Sequence, residues 1–172
     1  MSWSAAFLDR DGTINVKAPE GEYVESPSEV RLLDGAAPAI AALNAAGIPV
    51  IVVTNQRGIA LGKMSEEDLA AVHARLSELL AEEGARVDAF YFCPHEKGTC
   101  DCRKPGTAML EWAARDHDLD LRGSFLVGDS ESDVEAGRRV GAKTVLIAPS
   151  PRPSAADLTL PSLRDAVEAL LA

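Results

Sequence analysis

Short apolar runs alternate along the whole chain with longer segments of helical periodicity. This alternation is typical of β–α units that pack helices around a parallel sheet, so we predict an α/β fold. The apolar runs are short and rich in valine and isoleucine, as expected for strands buried on both faces. The candidate strands cover residues 5–8, 49–53, 89–92, 124–127 and 144–147.

The segments between these runs predict helices, with glycines at several of their ends. The clearest helix begins at Ser65, where Ser65 and Asp68 resemble a capping box with aspartate in place of glutamate. Residues 149–154 are rich in proline and serine and indicate a loop, not a domain linker. With 172 residues we expect a single domain over 1–172. The predicted helices cover residues 36–46, 65–83, 106–117, 132–140 and 161–171.

The formal net charge of -10 argues against nucleic acid as a partner, because phosphate-backbone binding depends on lysine and arginine. No apolar run approaches the roughly 20 residues of a membrane span, and Met1 to Leu8 lacks the pattern of a signal peptide. We therefore expect a cytoplasmic protein with no membrane partner. A chain of this length buries most of its apolar surface alone, and we expect a monomer.

Polar residues follow the apolar runs at the carboxyl ends of the predicted strands, where open parallel sheets bind their ligands. Asp9 and Asp11 lie two residues apart, so in an extended backbone both side chains point to the same side. Together with Asp129, which follows the fourth run, they predict a Mg²⁺ site. Asp133 is either a further ligand or a residue that orients Asp129.

These carboxylates indicate phosphoryl-transfer chemistry. A carboxylate attacks phosphorus once a metal has neutralised the charge of the phosphate, and we predict Asp9 as this nucleophile. Asp11 is then the general acid that protonates the leaving alkoxide and the general base of the second step. The transferred group also needs positive charge and hydrogen-bond donors, for which the chain offers Lys104, Thr54, Asn55, Arg103 and the backbone amides near Gly12.

All three cysteines and one of the three histidines fall within one window of ten residues, the zinc loop, residues 93–102. Three thiolates and one imidazole match a closed, structural Zn²⁺ site, and an odd cysteine count argues against disulfides. Arg103 and Lys104 follow directly, so zinc would preorganise the phosphate site. The predicted ligands are Cys93, His95, Cys100 and Cys102.

The ordered motifs DRDGT, TNQ, RKP and GDSESD resemble those of the haloacid dehalogenase-like phosphatases, and the resemblance covers nearly the whole chain. It implies a Rossmann-like three-layer sandwich with Asp9 as nucleophile, Asp11 as acid and base, and Asp129 as metal ligand. It also implies that Thr54 and Lys104 bind phosphate. Many relatives carry large cap domains, but only about twenty residues separate Gly12 from the first predicted helix. We therefore predict no large cap.

The loop CPH…CDCRKP is similar to that of the subfamily containing heptose-bisphosphate and histidinol-phosphate phosphatases. The stretches TNQRGIALGK and GEYV look more like the heptose 1,7-bisphosphate phosphatases. This resemblance implies a sugar bisphosphate substrate that loses its 7-phosphate. Histidinol phosphate or another small sugar phosphate is the alternative. A distal cation, Lys17, Arg57 or Lys63, would meet a second phosphate, although solvated surface charge explains Arg57 and Lys63 equally well.

Two non-enzymatic functions compete with this interpretation. A phosphoaccepting receiver also combines aspartates with a threonine and a lysine, but the order of the motifs here favours turnover. A zinc-based nucleic-acid module is disfavoured by the negative charge.

The stretch from Gly58 to Ser65 resembles a P-loop with the wrong spacing, so we interpret it as a substrate-side loop. His73 and His117 have no partner motif and are predicted to be structural.

Overall fold

The computed structural model describes residues 2–172, which form six strands and five helices. A single 3-10 turn, Pro27–Glu29, precedes the first helix. The strands are β1 Ala6–Leu8, β2 Val50–Asn55, β3 Ala89–Cys93, β4 Phe125–Gly128, β5 Lys143–Ile147 and β6 Leu158–Leu160. The helices are α1 Ala36–Ala45, α2 Glu66–Glu82, α3 Ala108–His117, α4 Glu131–Arg139 and α5 Leu163–Leu171.

The six strands form one parallel sheet in the order β3-β2-β1-β4-β5-β6. The chain moves outward from β1 in one direction and then returns to β4 on the other side of β1. The order of the strands therefore reverses between β1 and β4, and open α/β sheets bind ligands at the carboxyl side of such a reversal. This topology confirms the predicted Rossmann-like α/β class.

Helices cover both faces of the sheet, because side chains that alternate along each strand point to opposite faces. Ala6 and Leu8 of β1 belong to a core shared with α1, α2 and α5. Phe7 of the same strand points the other way, into a core shared with α3 and α4. The result is the predicted three-layer sandwich, in which β1, β2 and β4 are buried on both sides.

The five predicted strands and five predicted helices are all present, with ends shifted by at most two residues. The prediction was wrong in leaving out β6. This strand has three residues, it is only partly buried, and it pairs with β5 at the edge of the sheet, so no continuous apolar run marks it. Residues 149–154 form a loop, as predicted.

Residues 9–35 contain the 3-10 turn and isolated bridges but no larger element, so no cap domain lies between β1 and α1. This agrees with the prediction of an uncapped site. Across residues 2–172, no helix is both long and apolar enough to cross a membrane.

Candidate active site

The candidate site lies where the order of the strands reverses. Asp9 follows β1 and Asp129 follows β4, and these two strands are paired neighbours. The carboxylates of Asp129 and Asp133 approach the backbone so closely that glycine is required at two positions. A Cβ on Gly12, whose φ is +83°, would lie 2.1 Å from Oδ2 of Asp129, and a Cβ on Gly128 would lie 2.3 Å from Cγ of Asp133. Both glycines therefore make room for carboxylates.

Three carboxylates converge at this point. Asp9, Asp129 and Asp133 each offer an oxygen, and these atoms all lie within 4.8 Å of one another. Lys104 enters from the zinc-loop side: Nζ donates to Oδ1 of Asp9 at 2.9 Å and to the carbonyl of Val53 at 2.7 Å. It also pairs with Oδ1 of Asp133 at 2.6 Å. The ammonium group is therefore held by three oxygens in a buried position.

The charges of this cluster do not balance. Burial and the neighbouring Asp133 carboxylate raise the pKa of Asp9 well above its usual range, despite the attraction of Lys104. Burial lowers the pKa of Lys104, but the Asp133 and Asp9 carboxylates raise it by a larger amount. The net shift of this pKa is therefore upward, and the amine stays charged. One ammonium among three carboxylates leaves excess negative charge. Carboxylate oxygens with uncompensated charge suit Mg²⁺, so the donor set fits this ion.

The carboxylate of Asp11 lies outside this cluster. Oδ1 accepts from Nη2 of Arg10 at 2.8 Å and from Nδ2 of Asn15 at 3.0 Å, and Oδ2 accepts from Nε2 of Gln56 at 3.0 Å. Burial raises the pKa of Asp11, but the Arg10 charge and the hydrogen bonds outweigh it, so the pKa lies below its usual value. Of the four acidic residues suggested as metal ligands, three are brought together and Asp11 is held apart.

A cleft of about 290 Å³ opens over these groups, with both Asp9 and Asp11 in its wall. A second cavity of about 810 Å³ adjoins it, and Lys17 and Asp129 line both. Of these two cavities, Gly12 lines the second but not the first. The other predicted site residues all line the first cleft, namely Thr54, Asn55, Arg57, Arg103, Lys104, Asp129 and Asp133.

The TNQ motif at the end of β2 organises the floor of the cleft. Asn55 holds the backbone of Lys104, since its Oδ1 accepts from the Lys104 amide at 3.0 Å and its Nδ2 donates to the Lys104 carbonyl at 3.3 Å. Gln56 is buried and its Nε2 donates to Oγ1 of Thr54 at 2.9 Å as well as to Asp11. The sequence prediction missed Gln56, Arg10 and Asn15, and their only signal was their place within or beside the motifs.

The candidate distal cations have different surroundings. Arg57 lines the cleft and forms an ion pair with Glu96 of the zinc loop. Lys17 is exposed and lies 3.4 Å from Oδ2 of Asp129. Lys63 donates to the carbonyl of Gly21 at 2.8 Å and is not among the residues that line the cleft. Arg103 also lines the cleft, and its Nη1 is buried with no hydrogen-bond partner in the described chain.

The zinc loop brings its four predicted ligands together, with all four ligand atoms within 4.8 Å of one another. Nδ1 of His95 lies 3.1 Å from Sγ of Cys102 and 3.5 Å from Sγ of Cys93, which lies 3.5 Å from Sγ of Cys100. Tetrahedral bond lengths to zinc imply ligand separations of about 3.6 to 3.8 Å, so these atoms lie slightly closer together than zinc would hold them. Three thiols and one imidazole are nevertheless a donor set of structural zinc sites, so the donor set fits zinc.

The same loop is attached to the cleft through its backbone. Burial raises the pKa of the Cys100 thiol, but a hydrogen bond from the Arg103 main-chain amide and contacts with the neighbouring thiols lower it to about 7. Arg103 follows this loop directly in the sequence, and its side chain lines the cleft. The zinc loop therefore leads directly into two residues of the cleft wall, Arg103 and Lys104.

Comparisons with known proteins identify the family of this chain. The HAD-hydrolase-like family model matches residues 101–166. D-glycero-beta-D-manno-heptose-1,7-bisphosphate 7-phosphatase of Rhodopseudomonas palustris is 44% identical over 145 residues, covering 80% of this chain and 79% of that protein. The chain belongs to the haloacid dehalogenase-like phosphatases, in the family that includes these enzymes. The corresponding enzyme of Pseudomonas aeruginosa is 43% identical, covering 86% of this chain and 82% of the other.

Solved structures extend the similarity to the whole fold of this phosphatase. The crystal structure of D,D-heptose 1,7-bisphosphate phosphatase from B. bronchiseptica, complexed with magnesium and phosphate, superposes with a TM-score of 0.87. It is 35% identical, and the match covers 97% of this chain and 98% of that one. A putative HAD-like phosphatase from Mesorhizobium loti is 38% identical with a TM-score of 0.82, covering 98% and 88% of the two chains.

Proposed function

We propose that this phosphatase hydrolyses a phosphomonoester through an aspartyl-phosphate on Asp9. The observation that carries the proposal is the convergence of Asp9, Asp129 and Asp133 on one another, with Lys104 between Asp9 and Asp133. Mg²⁺ bound by Asp9 and Asp129 would neutralise the phosphate and align it with the attacking carboxylate. Asp133 lies beside this pair, and its contacts with Lys104 and Ser130 support a role in fixing the ammonium.

The reaction then proceeds in two steps. An Asp9 oxygen forms a bond to phosphorus while the ester P–O bond breaks, and Asp11 gives a proton to the leaving oxygen. Asp11 is ionised in the free protein, and the negative charge of an entering phosphate raises its pKa, so a proton is taken up with the substrate. Asp11 next removes a proton from water, which attacks phosphorus, releases phosphate and restores Asp9.

The separation of Asp11 from the other carboxylates supports this division of roles. The sequence also suggested Asp11 as a metal ligand, but Arg10, Asn15 and Gln56 already occupy both of its oxygens. A carboxylate held in this way keeps a fixed direction toward the cleft. We therefore assign its side chain to proton transfer.

We propose heptose 1,7-bisphosphate as the substrate, with the 7-phosphate as the group removed. The names of the relatives from R. palustris and P. aeruginosa support this choice, as does the named enzyme of the similar crystal structure. A bisphosphate also needs a second anion site. Arg103, with an unpartnered buried Nη1, and Arg57 lie in the wall of the same cleft and supply cations for it.

The zinc loop completes the proposal. Zn²⁺ bound by its cysteines and histidine would have a structural role, because four protein ligands leave no position for water. Its function would be to hold Arg103 and Lys104 against the cleft. We also propose that residues 1–172 act as one phosphatase domain, since the site draws on β1, β2, β4 and the zinc loop together.

The nucleophile is tested by phosphate release from p-nitrophenyl phosphate with and without Mg²⁺. We expect Asp9→Asn to lower kcat at least about a thousandfold, because the covalent step is lost. Asp116→Asn is the matched control, an exposed aspartate at the end of α3. Retained activity in Asp9→Asn would refute the nucleophile assignment.

The substrate is tested by comparing kcat/KM for both anomers of heptose 1,7-bisphosphate with kcat/KM for histidinol phosphate. We expect a preference for a heptose anomer, because histidinol phosphate has no second phosphate for the distal cations. A preference for histidinol phosphate would replace the proposed substrate and leave the chemistry intact.

A further inference from the structure

Arg10 lies between the two catalytic aspartates in sequence and is completely buried. Its guanidinium contacts two side chains. Nη2 donates to Oδ1 of Asp11 at 2.8 Å, and Nη1 lies 3.1 Å from Nε2 of His73. Nε has no hydrogen-bond partner in the described chain. Two hydrogen bonds from different nitrogens define the orientation of a planar group, so these two contacts fix the plane of the buried guanidinium.

His73 is the partner on the far side of Arg10. It lies in the middle of α2, is only 8% exposed, and stacks on Phe90 of β3 with ring centroids 4.3 Å apart and ring planes 16° apart. A guanidinium only donates, so Nε2 must accept and the imidazole is neutral with its proton on Nδ1. Burial and the Arg10 charge lower the pKa of His73 to about 3, against a smaller effect of Asp11. The ring thus stays an acceptor at neutral pH.

We infer that His73 is a positioning residue for proton transfer, which acts on Asp11 through Arg10. The chain of contacts runs from helix α2 through the imidazole and the guanidinium to the carboxylate that faces the cleft. This inference rests on the proposed role of Asp11. It replaces the expectation that His73 is only a packing residue of α2.

Loss of the imidazole has a specific consequence for Asp11. Without the Nε2 acceptor, Nη1 joins Nε as a second buried donor with no partner, and the guanidinium must turn to find one. Because Nη2 is part of the same rigid plane, Oδ1 of Asp11 loses or bends its charged hydrogen bond. Asn15 and Gln56 still hold the carboxylate, so we expect a misdirected acid and not a missing one.

A misdirected acid affects substrates unequally. The alkoxide leaving group of an alkyl phosphate needs a proton as it departs, whereas p-nitrophenolate leaves without one. The value of kcat/KM reports the free energy from free enzyme and substrate to the transition state of the first irreversible step, here phosphoryl transfer to Asp9. A change in the ratio of kcat/KM for the two substrate types on mutation therefore reports the acid.

The experiment compares p-nitrophenyl phosphate with the best alkyl substrate among heptose 1,7-bisphosphate, histidinol phosphate and glycerol 3-phosphate. We expect His73→Leu to lower kcat/KM for the alkyl phosphate about 10 to 100-fold more than for p-nitrophenyl phosphate. His73→Gln supplies an amide oxygen near the position of Nε2 and should restore most of the loss. Val72→Ala, a buried neighbour on α2 that belongs to the hydrophobic core, should change both substrates equally.

Equal losses for both substrates in His73→Leu, or none, would overturn the inference, provided that Asp11→Asn shows the selective loss. If Asp11→Asn itself loses both substrates equally, the proposed role of Asp11 fails and the inference fails with it. Should His73→Leu not fold, His73→Asn takes its place, because the shorter amide cannot reach Arg10. The Asp11→Asn result therefore distinguishes a failure of the His73 inference from a failure of the proposed role of Asp11.

Discussion

Acidification from pH 8 to pH 5 should destabilise the folded protein by about 2 kcal/mol through His73 alone. The imidazole titrates near 6.5 in the unfolded chain and near 3 in the folded protein, chiefly because it is buried and then because Arg10 repels its charged form. Below 6.5 the unfolded chain therefore binds a proton that the folded protein does not. The stabilisation is complete above pH 6.5 and is lost progressively as the pH falls toward 3.

The magnitude follows from the same two values. Each pH unit over which one state holds an extra proton changes the free energy of unfolding by about 1.4 kcal/mol. pH 5 lies about 1.5 pH units below the unfolded value and well above the folded one, which gives the 2 kcal/mol. This is a large share of the 5 to 15 kcal/mol that typically stabilises a native domain, so the effect should be easy to measure.

The assay is urea unfolding of the parent protein and His73→Gln at several values between pH 5 and pH 8, with zinc and magnesium present. Glutamine does not titrate, so the unfolding free energy of the parent protein should fall by about 2 kcal/mol relative to that of His73→Gln from pH 8 to pH 5. Contributions from Asp9 and the zinc loop are common to both proteins and cancel. His117→Gln, which removes an exposed histidine at the end of α3, serves as the control.

The result that would refute this reasoning is a constant difference between the parent protein and His73→Gln over the whole range. It would mean that the imidazole takes up its proton at the same pH in the folded and the unfolded protein, so that neither burial nor Arg10 disfavours its charged form. A pH dependence equal to that of His117→Gln would lead to the same conclusion. Either outcome would also count against a close contact with the Arg10 guanidinium, on which the positioning role of His73 depends.

Gly12→Ala should lower kcat/KM at least about 100-fold, because its Cβ would lie 2.1 Å from Oδ2 of Asp129. Gly47→Ala has a similar positive φ with open space around it and should remain active. Chelation of zinc should lower the melting temperature by more than about 5 °C, and a zinc-free preparation with unchanged melting would exclude the site. Ser65→Ala should cost about 1 kcal/mol in urea unfolding, since Ser65 caps α2; an unchanged midpoint would contradict this.

The regular elements were predictable because burial leaves a clear mark on the sequence. Strands with both faces covered have continuous apolar sequences. The start of α2 is marked by Ser65 and Asp68, which form a reciprocal capping box. β6 lacks this mark. Its Thr159 is exposed at the edge of the sheet, and its pairing with β5 depends on main-chain atoms that carry no residue signature.

The carboxylate cluster was predictable for a different reason. Parallel strands bring their carboxyl ends to one edge, so Asp9 and Asp129 had to lie close once β1 and β4 were neighbours. The position of the Asp11 side chain was not predictable in this way. It depends on Arg10, which turns inward to meet His73 on a helix 63 residues away in sequence. No local periodicity encodes that contact.

The buried guanidinium explains how two aspartates on one short segment acquire different chemistry. Asp9 is buried among other carboxylates, so its pKa is raised and its charge is best satisfied by a divalent cation. Asp11 has its own cation in Arg10, and its pKa is lowered. If Arg10 faced the carboxylates proposed to bind metal instead, it would compete with Mg²⁺ there and leave Asp11 without a fixed partner. By drawing Nη1 of Arg10 away from the cluster, His73 keeps the two carboxylates distinct, one suited to metal-assisted attack and one to proton transfer.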